Sequence, residues 1–319
     1  MRILFAGTPE FAVPSLRALH AAAHEDGHEI VGVLTSPARP SGRGRRLQPS
    51  PVAAAADDLG LAVMTPEVLR TEAREQAAAV KADLLVVVAY GRIFGPRFLQ
   101  LFPLGGINLH PSLLPRHRGP APIPAALLAG DSETGLTVQQ LALEMDAGDI
   151  LLQESRPLDG TETAADLYPW AADRGAELVC RAVRQIIAGE ANPQPQDDSM
   201  ASYCSLLRKE DGRIDWHRSA AEIDRRIRAY NPYPGAFSFL DGEKVTIWRT
   251  SGVHPLPHET VAEAGRVMQI DRDRGILVQT GAQALGITQL QLAHKKNLDW
   301  KSFCNGYGDV NGRIFGGSI

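Results

Sequence analysis

Cysteine is scarce. The 319 residues hold only Cys180, Cys204 and Cys304, odd in number, widely spaced and without a CxxC pair. Neither a disulfide framework nor a zinc ribbon has the residues it needs, so a reducing, cytoplasmic compartment is the simpler expectation. Long apolar runs are missing too. The opening MRILFA is broken by Gly7, Thr8, Pro9 and Glu10 before it reaches secretory length, and no stretch approaches the roughly 20 apolar residues of a membrane span. No membrane contact is expected. Basic charge is not in excess: the net charge of -4 excludes indiscriminate nucleic-acid binding and makes any RNA contact local. Gly7-Thr8-Pro9 stands where a dinucleotide loop would, yet GxGxxG is absent, which excludes a nucleotide cofactor of that kind. No internal repeat of useful period is present.

What is there is ordinary globular material, 44% hydrophobic and 22% charged, in a chain long enough for two domains. Residues 2–6, 29–34, 84–89 and 107–109 are short runs of Ile, Leu and Val, with helical patterns between them at 13–23 and 66–81. Such runs predict parallel strands buried on both faces, hence an α/β fold with a doubly wound, mostly parallel, Rossmann-like sheet. Ligands of such sheets sit beyond the carboxyl ends of the strands, so Gly7-Thr8-Pro9, Tyr90-Gly91-Arg92 and Asn108-Leu109-His110 are expected to face one cleft. A long amphipathic helix over 162–189 ends in Gly189. Residues 191–202, rich in Pro, Gln and Asp, read as a linker. Beyond a helix at 219–229, short alternating runs at 236–240, 244–249, 264–269, 275–279 and 285–292 predict a small β-barrel. The expected division is 1–190, a linker over 191–207, and 208–319.

The densest chemistry lies between residues 108 and 149. Asn108 and His110 alternate at a strand end, so both side chains point to one face. An amide and an imidazole so placed can donate hydrogen bonds to a carbonyl oxygen that gains charge under attack, and Asp146 can orient and charge the imidazole. Those parts suit acyl transfer through a tetrahedral intermediate. His24 and His28 have helical i, i+4 spacing, but Gly27 and the lack of further ligands favour a helix end, and no metal is expected.

The stretch N-L-H-P-S-L-L-P-R-H-R-G-P-A-P-I (108 to 123), with E-M-D-A-G-D (144 to 149), resembles the folate-dependent formyltransferases. The resemblance implies that Asn108, His110 and Asp146 are catalytic, with 10-formyltetrahydrofolate as formyl donor. It also implies folate contacts from the turn Ser112, Leu113, Leu114 and Pro115, and a pterin pocket lined by Tyr90, Arg92 and Ile93. A second domain disfavours the glycinamide ribonucleotide branch. Arg39 to Arg46, with its G-R-G core, resembles the basic loop of the branch that formylates methionyl initiator tRNA. Arg39, Arg43, Arg45 and Arg46 would meet RNA, Arg43 centrally, with Gly42 and Gly44 allowing the loop to order on it. Gly212 to Trp216 and Asn231 to Gly235 resemble the same branch, and an OB-like second domain binding tRNA follows from it.

Two departures stand out. Pro111 replaces a residue that is often small, and the lysine common three residues after the linker tyrosine is Leu206 here, with Arg208 and Lys209 nearest to replace its charge. A monomer is expected. Two rivals remain: a formyltransferase or formylfolate hydrolase acting on a small acceptor or water, and a non-catalytic RNA-binding protein.

Overall fold

The aliphatic runs become strands because each can be covered on both faces. The computed structural model describes residues 1–41, 46–256 and 263–316. They form two units, one of Met1–Pro122, Glu133–Pro157 and Tyr168–Ser205, the other of Ile123–Ser132, Leu158–Leu167 and the chain from Leu206 on. The first unit carries β1 (Arg2–Gly7), α1 (Val13–Ala22), β2 (Glu29–Leu34), the short strands β3 (Arg39–Ser41) and β4 (Arg46–Gln48), α2 (Pro51–Asp58), β5 (Val63–Met64), α3 (Thr71–Ala79), β6 (Leu84–Val88), α4 (Pro96–Leu99) and β7 (Gly106–His110). After α5 (Pro122–Ala129), most of which belongs to the other unit, come β8 (Glu133–Gln140), β9 (Ile150–Pro157) and α6 (Ala164–Ala188).

The sheet runs β5-β2-β1-β6-β7-β8-β9. Its first five strands are parallel, and β8 and β9 are antiparallel additions at one edge. The mostly parallel α/β expectation therefore holds, with an antiparallel edge that periodicity did not predict. β6 is buried at all five residues, as a strand covered on both faces must be. Local signals set the helix ends: Ser50 caps α2 by accepting from the Ala53 amide at 2.9 Å, with Pro51 in the first turn. Helix α3 is shorter than its pattern suggested, starting at Thr71 rather than residue 66. Gly189, at φ +70°, ends α6 as expected. α6 lies close against the sheet because Gly175 has no Cβ; one would sit 2.4 Å from Leu109 Cδ2. His24 and His28 fall beyond the end of α1, where His28 Nε2 meets the Leu19 carbonyl oxygen at 2.8 Å.

In the second unit α7 (Ala220–Ala229) starts from a capping box, Ser219 accepting from the Glu222 amide while Glu222 accepts from the Ser219 amide. Strands β10 (Ala236–Leu240), β11 (Glu243–His254), β12 (Val267–Asp271), β13 (Gly275–Gln279), β14 (Ala284–Leu292) and β15 (Leu298–Asp299) precede α8 (Trp300–Tyr307). They pair antiparallel in the order β10-β11-β14-β13-β12, with β15 beside β14. Residues 314 and 315 close the ring, Ile314 bridging Arg266 before β12 and Phe315 bridging Leu240 at the end of β10. Trp216, Ile223, Ile227, Val245, Ile247, Ile276, Leu285, Phe303 and Phe315 fill the enclosed core. Among the described residues no helix is long and apolar enough to cross a membrane.

Candidate active site

Strand order places the expected corners side by side. β1, β6 and β7 are neighbours running the same way, so Gly7-Thr8-Pro9, Tyr90-Gly91-Arg92 and Asn108-Leu109-His110 leave the sheet at one edge. Thr8 Oγ1 donates to the Tyr90 carbonyl at 3.2 Å and ties the first two corners together. β8 pairs Gln139 opposite Asn108 and Thr137 opposite His110. Opposed residues of an antiparallel pair share a face, so these four polar side chains lie on one side of the sheet.

His110 is only 4% exposed. Its Nε2 lies 2.9 Å from the His117 carbonyl oxygen, and since a carbonyl can only accept, that nitrogen carries the hydrogen. Nδ1 lies 3.6 Å from Asp146 Oδ2, beyond a hydrogen bond but close enough for the carboxylate to favour a charged ring. Burial wins that contest and pushes the His110 pKa below its ordinary value, opposed by the Asp146 charge and the bond to His117. The ring is therefore held neutral, with Nδ1 as its basic nitrogen. Asn108 is half-buried, and its amide makes no hydrogen bond within the described residues. It keeps donors available where His110 does not.

Asp146 arrives on the loop after β8 at φ +54°. Gly119 N donates to its Oδ2 at 2.8 Å and Gln139 Nε2 to its Oδ1 at 3.0 Å. Gly119 has to be glycine: its φ is +115°, and a Cβ there would sit 2.3 Å from the Cys204 carbonyl oxygen. Sequence reasoning found Asn108, His110 and Asp146 but neither Gln139 nor the His117 carbonyl. The second had no signal to find, because every residue carries a backbone carbonyl.

The turn over residues 112–115 is held from within. Thr137 Oγ1 donates to Ser112 O at 2.7 Å and accepts from Leu114 N at 3.2 Å. Gln153 Nε2 donates to Leu114 O at 2.7 Å, and Ser112 Oγ donates to Arg116 O at 2.7 Å. Ser112 and Leu114 are buried, which leaves the half-buried Leu113 and Pro115 to meet a ligand. The Tyr90 ring lies in the core with Phe94 and Phe98 rather than lining a pocket, so a ligand contact there falls to its backbone. Its hydroxyl is buried and its pKa is pushed up by that burial, against the opposing pull of the nearby Arg92 guanidinium. Arg92 Nη1 is engaged with the Pro66 carbonyl at 2.7 Å, whereas Ile93 is 73% exposed. Leu143 and Met145, beside Asp146 on its loop, are exposed as well.

Of the residues expected to meet RNA, Arg39 and Arg46 are exposed on β3 and β4, where Ser41 pairs with Arg46 and Arg39 with Gln48. Arg43 and Arg45 lie outside the described residues. Arg208 and Lys209 are exposed in the second unit. Among the described residues no three His, Cys, Asp or Glu side chains cluster as a metal site.

A formyl transferase family model matches residues 1–183, and a model of the formyl transferase C-terminal domain matches residues 206–308. The methionyl-tRNA formyltransferase of Treponema denticola is 44% identical over 97% of this chain and 98% of its own. Two solved structures share the fold at lower identity. The sugar 3N-formyl transferase WlaRD, solved with dTDP and 5-N-formyl-THF, is 17% identical with a TM-score of 0.66, covering 93% of this chain and 99% of its own. HypX from Aquifex aeolicus, in complex with tetrahydrofolic acid, is 20% identical with a TM-score of 0.62 over 98% of this chain, which spans only 50% of the HypX chain.

Proposed function

Because the chain belongs to the formyl transferase family, we propose that it moves the formyl group of 10-formyltetrahydrofolate onto the α-amino group of methionyl initiator tRNA, for translation initiation. The T. denticola relative supports the acceptor, since its 44% identity runs through both units. The observation that carries the chemistry is a free Asn108 amide beside a buried His110–Asp146 pair.

The neutral amine attacks the formyl carbon and the carbonyl oxygen becomes an oxyanion. Asn108 donates to that oxygen. The bond from the formyl carbon to N10 breaks, the amine nitrogen loses a proton, and N10 leaves as tetrahydrofolate once that same proton has been delivered to it. The proton shed by the amine passes to the His110–Asp146 pair: Nε2–H is committed to His117, so Nδ1 has the lone pair, and Asp146 at 3.6 Å stabilises the imidazolium. No covalent intermediate with the enzyme is needed. This differs from the sequence expectation, in which His110 shared the oxyanion with Asn108, because both ring nitrogens already face protein groups. The division of labour belongs to the same proposal: residues 1–190 transfer, while the loop around Arg43 and the barrel within 208–319 hold the tRNA, with Arg208 and Lys209 as contacts.

The test is mass spectrometry of the amino acid released after incubation with 10-formyltetrahydrofolate and methionyl initiator tRNA, beside uncharged tRNA and buffer. Formylmethionine only with charged tRNA supports the proposal. Equal folate consumption in every sample means hydrolysis, and RNA binding without consumption means a binding protein.

A further inference from the structure

The polar stretch after α6 was expected to be a linker with little to bury. Within the first unit it is stitched to the loops that serve His110. Gln194 and Ile150 exchange two backbone hydrogen bonds, at 2.7 and 2.8 Å. Arg118 N donates to Ser202 O at 2.8 Å, Cys204 N donates to Arg118 O at 2.8 Å, and His117 N donates to Ser202 Oγ at 2.9 Å. From 194 to 200 every residue but Gln196 is exposed.

Gln196 turns inward. Its Nε2 donates to the carbonyl oxygens of Asp146 at 2.9 Å and Gly148 at 2.7 Å, with a weaker approach to Gln139 Oε1 at 3.3 Å. Its Oε1 accepts from Arg118 Nε at 3.1 Å and Nη2 at 2.8 Å. Arg118 is itself 1% exposed, a guanidinium kept out of water and further satisfied by Asp198 and the Tyr203 hydroxyl. A buried guanidinium is costly unless every donor is used, so its fork fixes the amide of Gln196 in one orientation. That amide then spans the turn in which Asp146 adopts its left-handed backbone. The residue after Arg118 is Gly119, whose N–H holds the carboxylate.

We propose that Gln196, oriented by Arg118, is a positioning residue of the catalytic centre, holding the Asp146 turn at its working distance from His110. The proposal rests on the reading of Asp146 and His110 given above. Gln196 touches no reacting atom. It acts through the 146–148 backbone, so its loss slows turnover while leaving substrate binding nearly as it was.

The test compares Gln196→Glu, Gln196→Met and Asp146→Asn in the full chain, with kcat, both KM values and the pH profile measured for each. Gln196→Glu keeps an acceptor for Arg118 but sets a carboxylate against two carbonyl oxygens. Gln196→Met removes both functions at similar volume and stands in should the glutamate variant fail to fold. Displacing Asp146 by a fraction of an ångström to 1 Å is expected to lower kcat about 10- to 100-fold, with KM for folate and tRNA within about 3-fold and the acid limb of the profile displaced. Wild-type kcat and profile in both Gln196 variants, with Asp146→Asn inactive, overturn the proposal alone. Full activity in Asp146→Asn overturns the reading of the site, and the proposal with it.

Discussion

His110 gives its single ring hydrogen to the carbonyl oxygen of His117 at 2.9 Å, and this bond decides which nitrogen is the base. With Nε2 so committed, Nδ1 faces Asp146 and the imidazole is suited to taking up a proton rather than to cradling an oxyanion.

In the proposed mechanism Asn108 carries the oxyanion alone among the three. Asn108→Ala should lower kcat about 100- to 1,000-fold, the cost of one missing oxyanion donor. Its amide makes no hydrogen bond in the described fold, so thermal unfolding should stay close to the parent. Steady-state kinetics and a melting curve check both halves, and undiminished turnover removes Asn108 from the mechanism.

Burial of His110 predicts a pH dependence of stability. Its folded pKa is depressed below the ordinary value of about 6.5. As pH falls through that value the unfolded chain takes up a proton that the folded chain refuses, so the contribution is full above it and is lost towards the lower folded pKa. Urea unfolding of the parent and of His110→Gln between pH 7.5 and about 5 should show a steeper loss in the parent. Parallel curves would mean that His110 titrates normally.

Thr137→Val should act on the turn over residues 112–115, which would meet the folate in the proposed function. It strips Ser112 O and Leu114 N of a shared partner without changing the strand, leaving buried backbone groups unsatisfied at about 1–3 kcal/mol. Chemical denaturation measures that loss. The KM for 10-formyltetrahydrofolate should rise while that for tRNA holds, and the opposite pattern would separate this turn from the folate site.

Arg43→Ala should weaken use of methionyl-tRNA and reduce the slope of log affinity against log salt by about one, leaving the KM for folate unchanged. A salt response like the parent's would make the loop a surface turn.

Particular residues show what could be read from the sequence. β1, β2, β6 and β7 were legible because aliphatic runs buried on both faces leave an unbroken pattern. β8 and β9 were not. β8 buries Thr134, Thr137 and Gln139, and the polar side chains of Thr137 and Gln139 are satisfied only by partners on other elements. β9 is an edge strand whose residues alternate between half-buried and exposed, as in Gln153, Glu154 and Ser155. The candidate site divides the same way. Asn108 and His110 stand out by their alternation at a strand end and Asp146 by the resemblance of residues 144–149, whereas Gln196 sits in a stretch whose composition says solvent, and the role proposed for it depends on a fold that brings Arg118 against it.

The bridges made by residues 314 and 315 carry a consequence for biosynthesis. The strands on either side of the gap, β10 and β12, are complete by residue 271, yet neither gains its closing neighbour until residue 315 has cleared the ribosome. The nascent barrel therefore waits with two open strand edges, the surface through which unfinished β-proteins pair with one another. Pausing late in translation should expose this chain to chaperones and to aggregation more than pausing earlier would.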